Sequence, residues 1–224
     1  MFGKRLINTG GVVCPSDNTN LFGDGSGVAL YQLNSNADDS SGNYNGTAND
    51  VTYVSGYINN AGSFNGSSSY IQSNTRLGLS SNPTHSVSFW INFSGTANQN
   101  LYLFGAGTTN FTHSGIYIDT ALGRIYHQNN GNAELITNIS WSISEWHHIV
   151  FTYNSSNSAM ELYLDGASVS TATRTLNIAS SEFTIGRWSG YNNSYVNGLI
   201  DQFRVFNKEV TSTEVTTLYN EIAC

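Results

Sequence analysis

Glu161 and Asp165 are the two carboxylates in this chain best placed to be tested as a glycoside-cleaving pair. They lie four residues apart in the alternating run Met160-Glu-Leu-Tyr-Leu-Asp-Gly166, hence ~13 Å apart along a strand. Retaining hydrolysis needs carboxyls ~5–5.5 Å apart, and inverting hydrolysis ~6.5–9.5 Å. The spacing therefore predicts no acid–nucleophile pair, and Asp165-Gly166 reads as a hairpin turn. His147 and His148 are adjacent, so on a strand their rings face opposite sides and cannot easily share a metal. His85, His113 and His127 are scattered, and neither a Gly-x-Ser-x-Gly elbow nor a phosphate loop occurs. The residues predict binding rather than catalysis.

Binding chemistry is concentrated in Arg187-Trp-Ser-Gly-Tyr-Asn-Asn-Ser-Tyr195. The faces of Trp188, Tyr191 and Tyr195 could pack on the apolar side of a sugar ring, while Arg187 and Asn192 read hydroxyls. In the competing reading Trp188 plugs one end of the core and the tyrosines line a protein interface. Asp201 shares its strand parity with Leu199, Phe203 and Val205, so strict alternation points it into the apolar face. An unpaired buried carboxylate is costly. Asp201 must meet a cation, several amide donors or an arginine; in the competing reading it sits at a bulge or caps loop amides. Asp39, Ser41 and Asn43 alternate in a turn-rich segment, but Tyr44 stands where an EF-hand needs glycine. Trp90 has the opposite parity to the apolar set of its strand, which predicts a cover from a helix or a partner.

The elements that must position these residues are strands. Ser86-Val-Ser-Phe-Trp-Ile-Asn-Phe93 puts Val87, Phe89, Ile91 and Phe93 on one face. Similar runs occur at 28–33, 51–54, 61–64, 70–72, 101–104, 116–118, 124–127, 146–153, 160–164, 183–186 and 198–206. Turn-rich gaps predict antiparallel connections and an all-β, two-sheet sandwich, with Asn65-Gly66 read as a hairpin-type turn. Thr211-Ser-Thr-Glu214 predicts a capping box opening a short helix, with Val215, Leu218, Tyr219 and Ile222 as its apolar stripe. Residues 1–26 read as an N-terminal arm carrying Lys4 and Arg5, and 27–224 as one domain. Cys14 and Cys224 lie near opposite ends of the chain, so a closing disulfide and two unrelated thiols both stay open.

Only 10% of the 224 residues are charged, and the formal net charge is -7. That balance argues against an electrostatic grip on nucleic acid or on an anionic membrane. An amide-rich acidic surface suits neutral sugars or a divalent cation. After Lys4-Arg5 the apolar run is only Leu6-Ile7, too short for a secretory signal, and no span long enough to insert into a membrane is seen.

Val87-Ser-Phe-Trp-Ile91, Trp146-His-His-Ile-Val-Phe151, Leu162-Tyr-Leu-Asp-Gly166, Ile185-Gly186 and Gly198-Leu-Ile-Asp-Gln-Phe-Arg-Val-Phe206, taken in order, resemble the laminin-G-like branch of the concanavalin A-like lectin/glucanase superfamily. The resemblance covers roughly residues 27–222 and implies a jelly-roll whose members bind glycans, proteins or cell surfaces. It also implies a structural calcium held by Asp201 with oxygens of the loop around Asp39 and Asn43. Leu6-Ile-Asn-Thr-Gly10 and Phe22-Gly-Asp-Gly25 resemble segments of tailed-bacteriophage structural proteins. The expectation is a non-catalytic module on a virion surface that binds host glycan. The alternatives are a capsid decoration or assembly protein contacting other virion subunits, or an extracellular module. Homo-oligomerisation stays open.

Overall fold

The computed structural model describes residues 18–73, 75–94, 99–104, 114–119, 124–129, 132–138, 144–176, 178, 182–188 and 194–221. These form two packed antiparallel sheets and one C-terminal helix. Numbering strands along the chain, the eight-stranded sheet runs β13 (Ala167–Thr173), β12 (Ala159–Leu164), β11 (Trp146–Asn154), β6 (His85–Phe93), β15 (Asn197–Phe206), β4 (Asn60–Asn65) and β3 (Thr52–Ser55). Strand β1 (Gly27–Tyr31) also pairs with β15. The seven-stranded sheet runs β10 (Asn132–Asn138), β9 (Arg124–Asn129), β8 (Ser114–Asp119), β7 (Gln99–Phe104), β14 (Phe183–Ile185), β5 (Tyr70–Ser73) and β2 (Thr47–Asn49).

The inward sets of both sheets interdigitate as alternation predicts. Val87, Phe89, Ile91 and Phe93 of β6 and Ile149, Phe151 and Tyr153 of β11 meet Tyr102, Ile116, Ile118, Ile71, Phe183 and Ile185 from the opposite sheet. Phe89 stacks on Phe203 at 5.2 Å. Fully burying each such side chain stabilises by roughly 1.5–3 kcal/mol, and this term carries the sandwich. Two histidines are enclosed with the core. His85 is buried, and His127 stacks on Phe151 at 4.3 Å.

The outer face of the eight-stranded sheet is also covered. Helix α1 (Ser212–Tyr219) lays Val215 and Leu218 onto Val150, Tyr163, Phe206 and Val210, and Leu21 and Phe22 join this second cluster. Leu21 and Phe22, within the segment read as the arm, therefore pack on this face of the sheet. The capping box is present: the Thr211 side chain accepts the Glu214 amide, and the Glu214 carboxylate accepts the Thr211 amide. Thr211→Ala is expected to cost about 1 kcal/mol in a urea titration, and Thr211→Gly less. Trp90 has its expected cover, lying between Tyr57, stacked at 3.6 Å, and Tyr219 of the helix at 5.6 Å.

Asp165 and Gly166, at φ 50° and 82°, turn β12 into β13 as a two-residue hairpin. A Cβ at Gly166 would meet the Tyr219 ring at 3.1 Å, so glycine also admits the helix. Asn65-Gly66 is not a hairpin. Strands β4 and β5 belong to different sheets, and the Asn65 side chain accepts the amides of Ser67, Ser68 and Ser69, which winds the chain across the sandwich. Cys14, Cys224 and Ile222 lie outside the described residues.

Candidate functional site

On the seven-stranded sheet, Ile71 points into the core, so Tyr70 and Gln72 project from the outer face of β5. Arg187 follows β14 and folds back over them. Its guanidinium carbon sits 3.4 Å from the Tyr70 ring centroid, and Nη2 donates to Gln72 Oε1 at 2.8 Å. Gln72 Nε2 donates in turn to Glu182 Oε1 at 2.7 Å. The carboxylate thereby fixes the orientation of the Gln72 amide, which must aim its oxygen at the arginine. Beside this relay, Thr47, Ala48, Asn49, Tyr70 and Gln72 line a cavity of about 240 Å³. An aromatic ring, two amides and a hydroxyl around a shallow recess can stack on a sugar ring and bond its hydroxyls.

Of the residues expected to bind, Arg187 is in this site. Tyr195 is linked to it by a β-bridge between their backbones, which closes the base of the connection to β15. Trp188 is half-buried, with its indole Nε1 enclosed. Tyr191 and Asn192 lie outside the described residues. Tyr70, Gln72 and Asn49 were not anticipated. The available signal was the alternation Tyr70-Ile71-Gln72, which puts two polar-capable side chains outward.

Asp201 departs from the parity expectation. A bulge between Asp201 and Arg204, with Gln202 at φ 49°, shifts the register. Ile200 faces the core below the bulge and Phe203 above it. Asp201, opposite Trp90, is on the outer face instead, yet fully buried under the Tyr57 segment. Its Oδ2 accepts the Ile58 amide at 2.8 Å. Burial pushes its carboxyl up to about 7, against the pull of the Ile58, Gln202 and Tyr57 amides. This is the loop-capping role at a bulge.

Asp39, Asn43 and Asp201 do not fit a shared calcium ion. Asp39 Oδ1 accepts the amides of Leu30 and Ser41, and Oδ2 accepts the Tyr44 amide and the Ser41 hydroxyl. Asp39 bridges Tyr31, which pairs with Phe203, so it stands two strand spacings, ~10 Å, from β15. Asn43 is exposed. Among the described residues, no group of three or more His, Cys, Asp or Glu converges on a metal-sized site.

Glu161, Asp165, His147 and His148 are engaged structurally, and His113 lies outside the described residues. Glu161 accepts the hydroxyls of Tyr163 and Ser168. Asp165 accepts His147 Nδ1 at 2.9 Å and the His148 amide at 2.8 Å, while His148 Nε2 meets Ser88 Oγ at 2.9 Å. The hydrogen bond to Asp165 raises the His147 pKa, whereas burial pushes His148 down to about 3 and His85 to about 4.

This two-sheet arrangement has a sequence counterpart. The model of the concanavalin A-like lectin/glucanases superfamily, laminin G-like, matches residues 65–216. The chain belongs to that superfamily. As a superfamily member it is similar to domain 4 of AbnA, a GH43 extracellular arabinanase from Geobacillus stearothermophilus, solved with arabinotriose. The TM-score is 0.68 and the identity 21%, over 86% of this chain and 98% of that one. It is also similar to the receptor binding domain of botulinum neurotoxin mosaic serotype C/D, with TM-score 0.66 and 20% identity, over 87% of this chain and 50% of that one. A heptameric SAP-like pentraxin from Limulus polyphemus aligns with TM-score 0.52 and 14% identity, over 63% of this chain and 76% of that one. The chain thus spans about half of the toxin domain. At these identities the likeness is one of fold. No curated protein matches the sequence significantly.

Proposed function

We propose that the chain is a non-catalytic glycan-recognition module, with its site at Tyr70, Gln72, Asn49 and Arg187. One observation carries the reading: an aromatic face, oriented amides and a guanidinium meet beside a recess of about 240 Å³ on an outer sheet face. Membership of a lectin/glucanase superfamily supports it, as do an arabinotriose-bound structural relative and a receptor-binding one. The engagement of Glu161 and Asp165 in structural hydrogen bonds supports binding without turnover. The likeness of the Leu6–Gly10 leader to phage structural proteins supports a place on a virion surface, where such a module would meet host glycan.

A glycan array followed by calorimetry tests the reading. Tyr70→Ala is expected to weaken the best glycan roughly tenfold or more, with the melting temperature little changed, because Tyr70 contributes a ring face on the surface and no core packing. An array without any binder would overturn the proposal.

A further inference from the structure

Resting on that reading, we infer that the glycan recognised at Tyr70 carries an anionic group, a carboxylate or a sulfate, and that Arg187 receives it. The observation is the set of partners around Arg187, seen beside three cations that pair with carboxylates. Arg124 pairs with Asp119, Arg204 with Glu221, and Lys208 with Asp24 and Glu214. Arg187 has a neutral amide oxygen and a ring face instead. Its Nε is buried without a hydrogen-bond partner, and Nη2 bonds to Gln72.

The neighbourhood explains why this charge stays available. The carboxylate of Glu182 is held by Gln72 Nε2, so it fixes the amide that presents the arginine. Guanidinium stacking on Tyr70 uses the π-face and leaves in-plane donors of Nη1 and Nη2 for a two-oxygen acceptor. Carboxylate and sulfate oxygens match that fork, and charge-assisted bonds are roughly twice as strong as neutral ones. A sugar ring seated in the adjoining recess, lined by Asn49 and Tyr70, would bring its anionic substituent within reach of Arg187. In a chain of net charge -7, long-range attraction does not recruit such a ligand, so recognition rests on this local contact.

The test is an array of matched acidic and neutral glycans, such as sialyllactose against lactose and 6-sulfated lactose against lactose, with inorganic sulfate as a separate arm. The best acidic binder is expected to exceed its neutral counterpart roughly tenfold, an advantage that shrinks as salt is raised. In Arg187→Gln that ratio falls to about one. Arg187→Lys, which keeps the charge without the planar fork, falls between. A best binder that is neutral, or a ratio unchanged in both variants, would overturn the inference while leaving glycan recognition standing. Inorganic sulfate binding as tightly as the acidic glycan would also overturn it, by removing the sugar from the recognition. An array with no binder would sink both readings.

Discussion

Glu221→Ala is expected to destabilise the fold by about 3–5 kcal/mol, which for a domain of this size lowers the melting temperature by roughly 10 °C. Arg204 and Glu221 are almost fully buried on the outer face of the eight-stranded sheet. The guanidinium donates through Nη2 and Nε to the two carboxylate oxygens, and through Nη1 to the Asn18 carbonyl at 2.8 Å. The chain just after the helix and the segment before β1 are thus tied to one side chain of β15. Removing the carboxylate leaves an uncompensated buried charge, which is the expensive way to break such a pair. Replacing both partners, Arg204→Met with Glu221→Leu, should cost far less, because desolvation of the pair consumes most of its attraction. Urea denaturation of the single and double variants checks this. Equal losses in the two would mean that packing of the helix, and not the charge, sets the stability.

The parts of the fold that could be read from the residue order are those where local pattern and tertiary role agree. Strands β6 and β11 alternate because one face of each meets the opposite sheet. The Thr211–Glu214 box and the Asp165-Gly166 turn are made within four residues of sequence. Three strands escaped because their burial is atypical or their pattern weak. β13 is the edge run Ala-Ser-Val-Ser-Thr-Ala-Thr, largely exposed, with no apolar face to betray it. β2 is three residues long within a polar, turn-rich stretch, and β10, Asn-Ala-Glu-Leu-Ile-Thr-Asn, mixes its few apolar residues with amides. Asp201 was assigned to the wrong face because parity cannot be carried through a bulge, although the polar pair Asp201-Gln202 between Ile200 and Phe203 already broke the alternation.

The candidate site was half legible for a different reason. Arg187 stood out as a cation in an aromatic loop. Its partner Gln72 is 115 positions away and becomes a neighbour only because β14 pairs with β5. Tyr70 reads locally as one more strand aromatic, and only that same pairing turns it into a surface beneath a guanidinium. The three residues that family resemblance implies for calcium are not brought together, on equally local grounds. The oxygens of Asp39 accept the Leu30 amide of β1 and the Ser41 and Tyr44 amides of its own turn, and Asp201 caps the Ile58 loop on the outer sheet face.

The same Asp201 shapes how stability responds to pH. Its folded carboxyl is raised to about 7 from 3.8, chiefly by burial. The stability it contributes is therefore fully present below pH ~4 and lost as pH rises through about 7, a loss of up to about 4 kcal/mol for a shift of this size. His148 and His85 act with the opposite sign. Burial lowers them from 6.5 to about 3 and about 4, so their contribution is present above pH 6.5 and is lost as pH falls toward those values. Between pH 4 and 6.5 two protons oppose one, and stability climbs with pH at about 1.4 kcal/mol per unit. Above 6.5 the Asp201 loss continues, joined by that of His147, whose raised pKa carries its contribution past neutrality. The stability maximum should fall near pH 6–7. Asp201→Asn keeps an oxygen for the Ile58 amide and removes the ionisation, so it should stabilise by on the order of 2–4 kcal/mol at pH 8 and by almost nothing at pH 4. Its acid limb should also steepen to two protons. Chemical denaturation of both proteins from pH 4 to 8 measures the difference directly. A gain that is the same at every pH would mean that Asp201 is not the group whose ionisation limits the fold above neutrality.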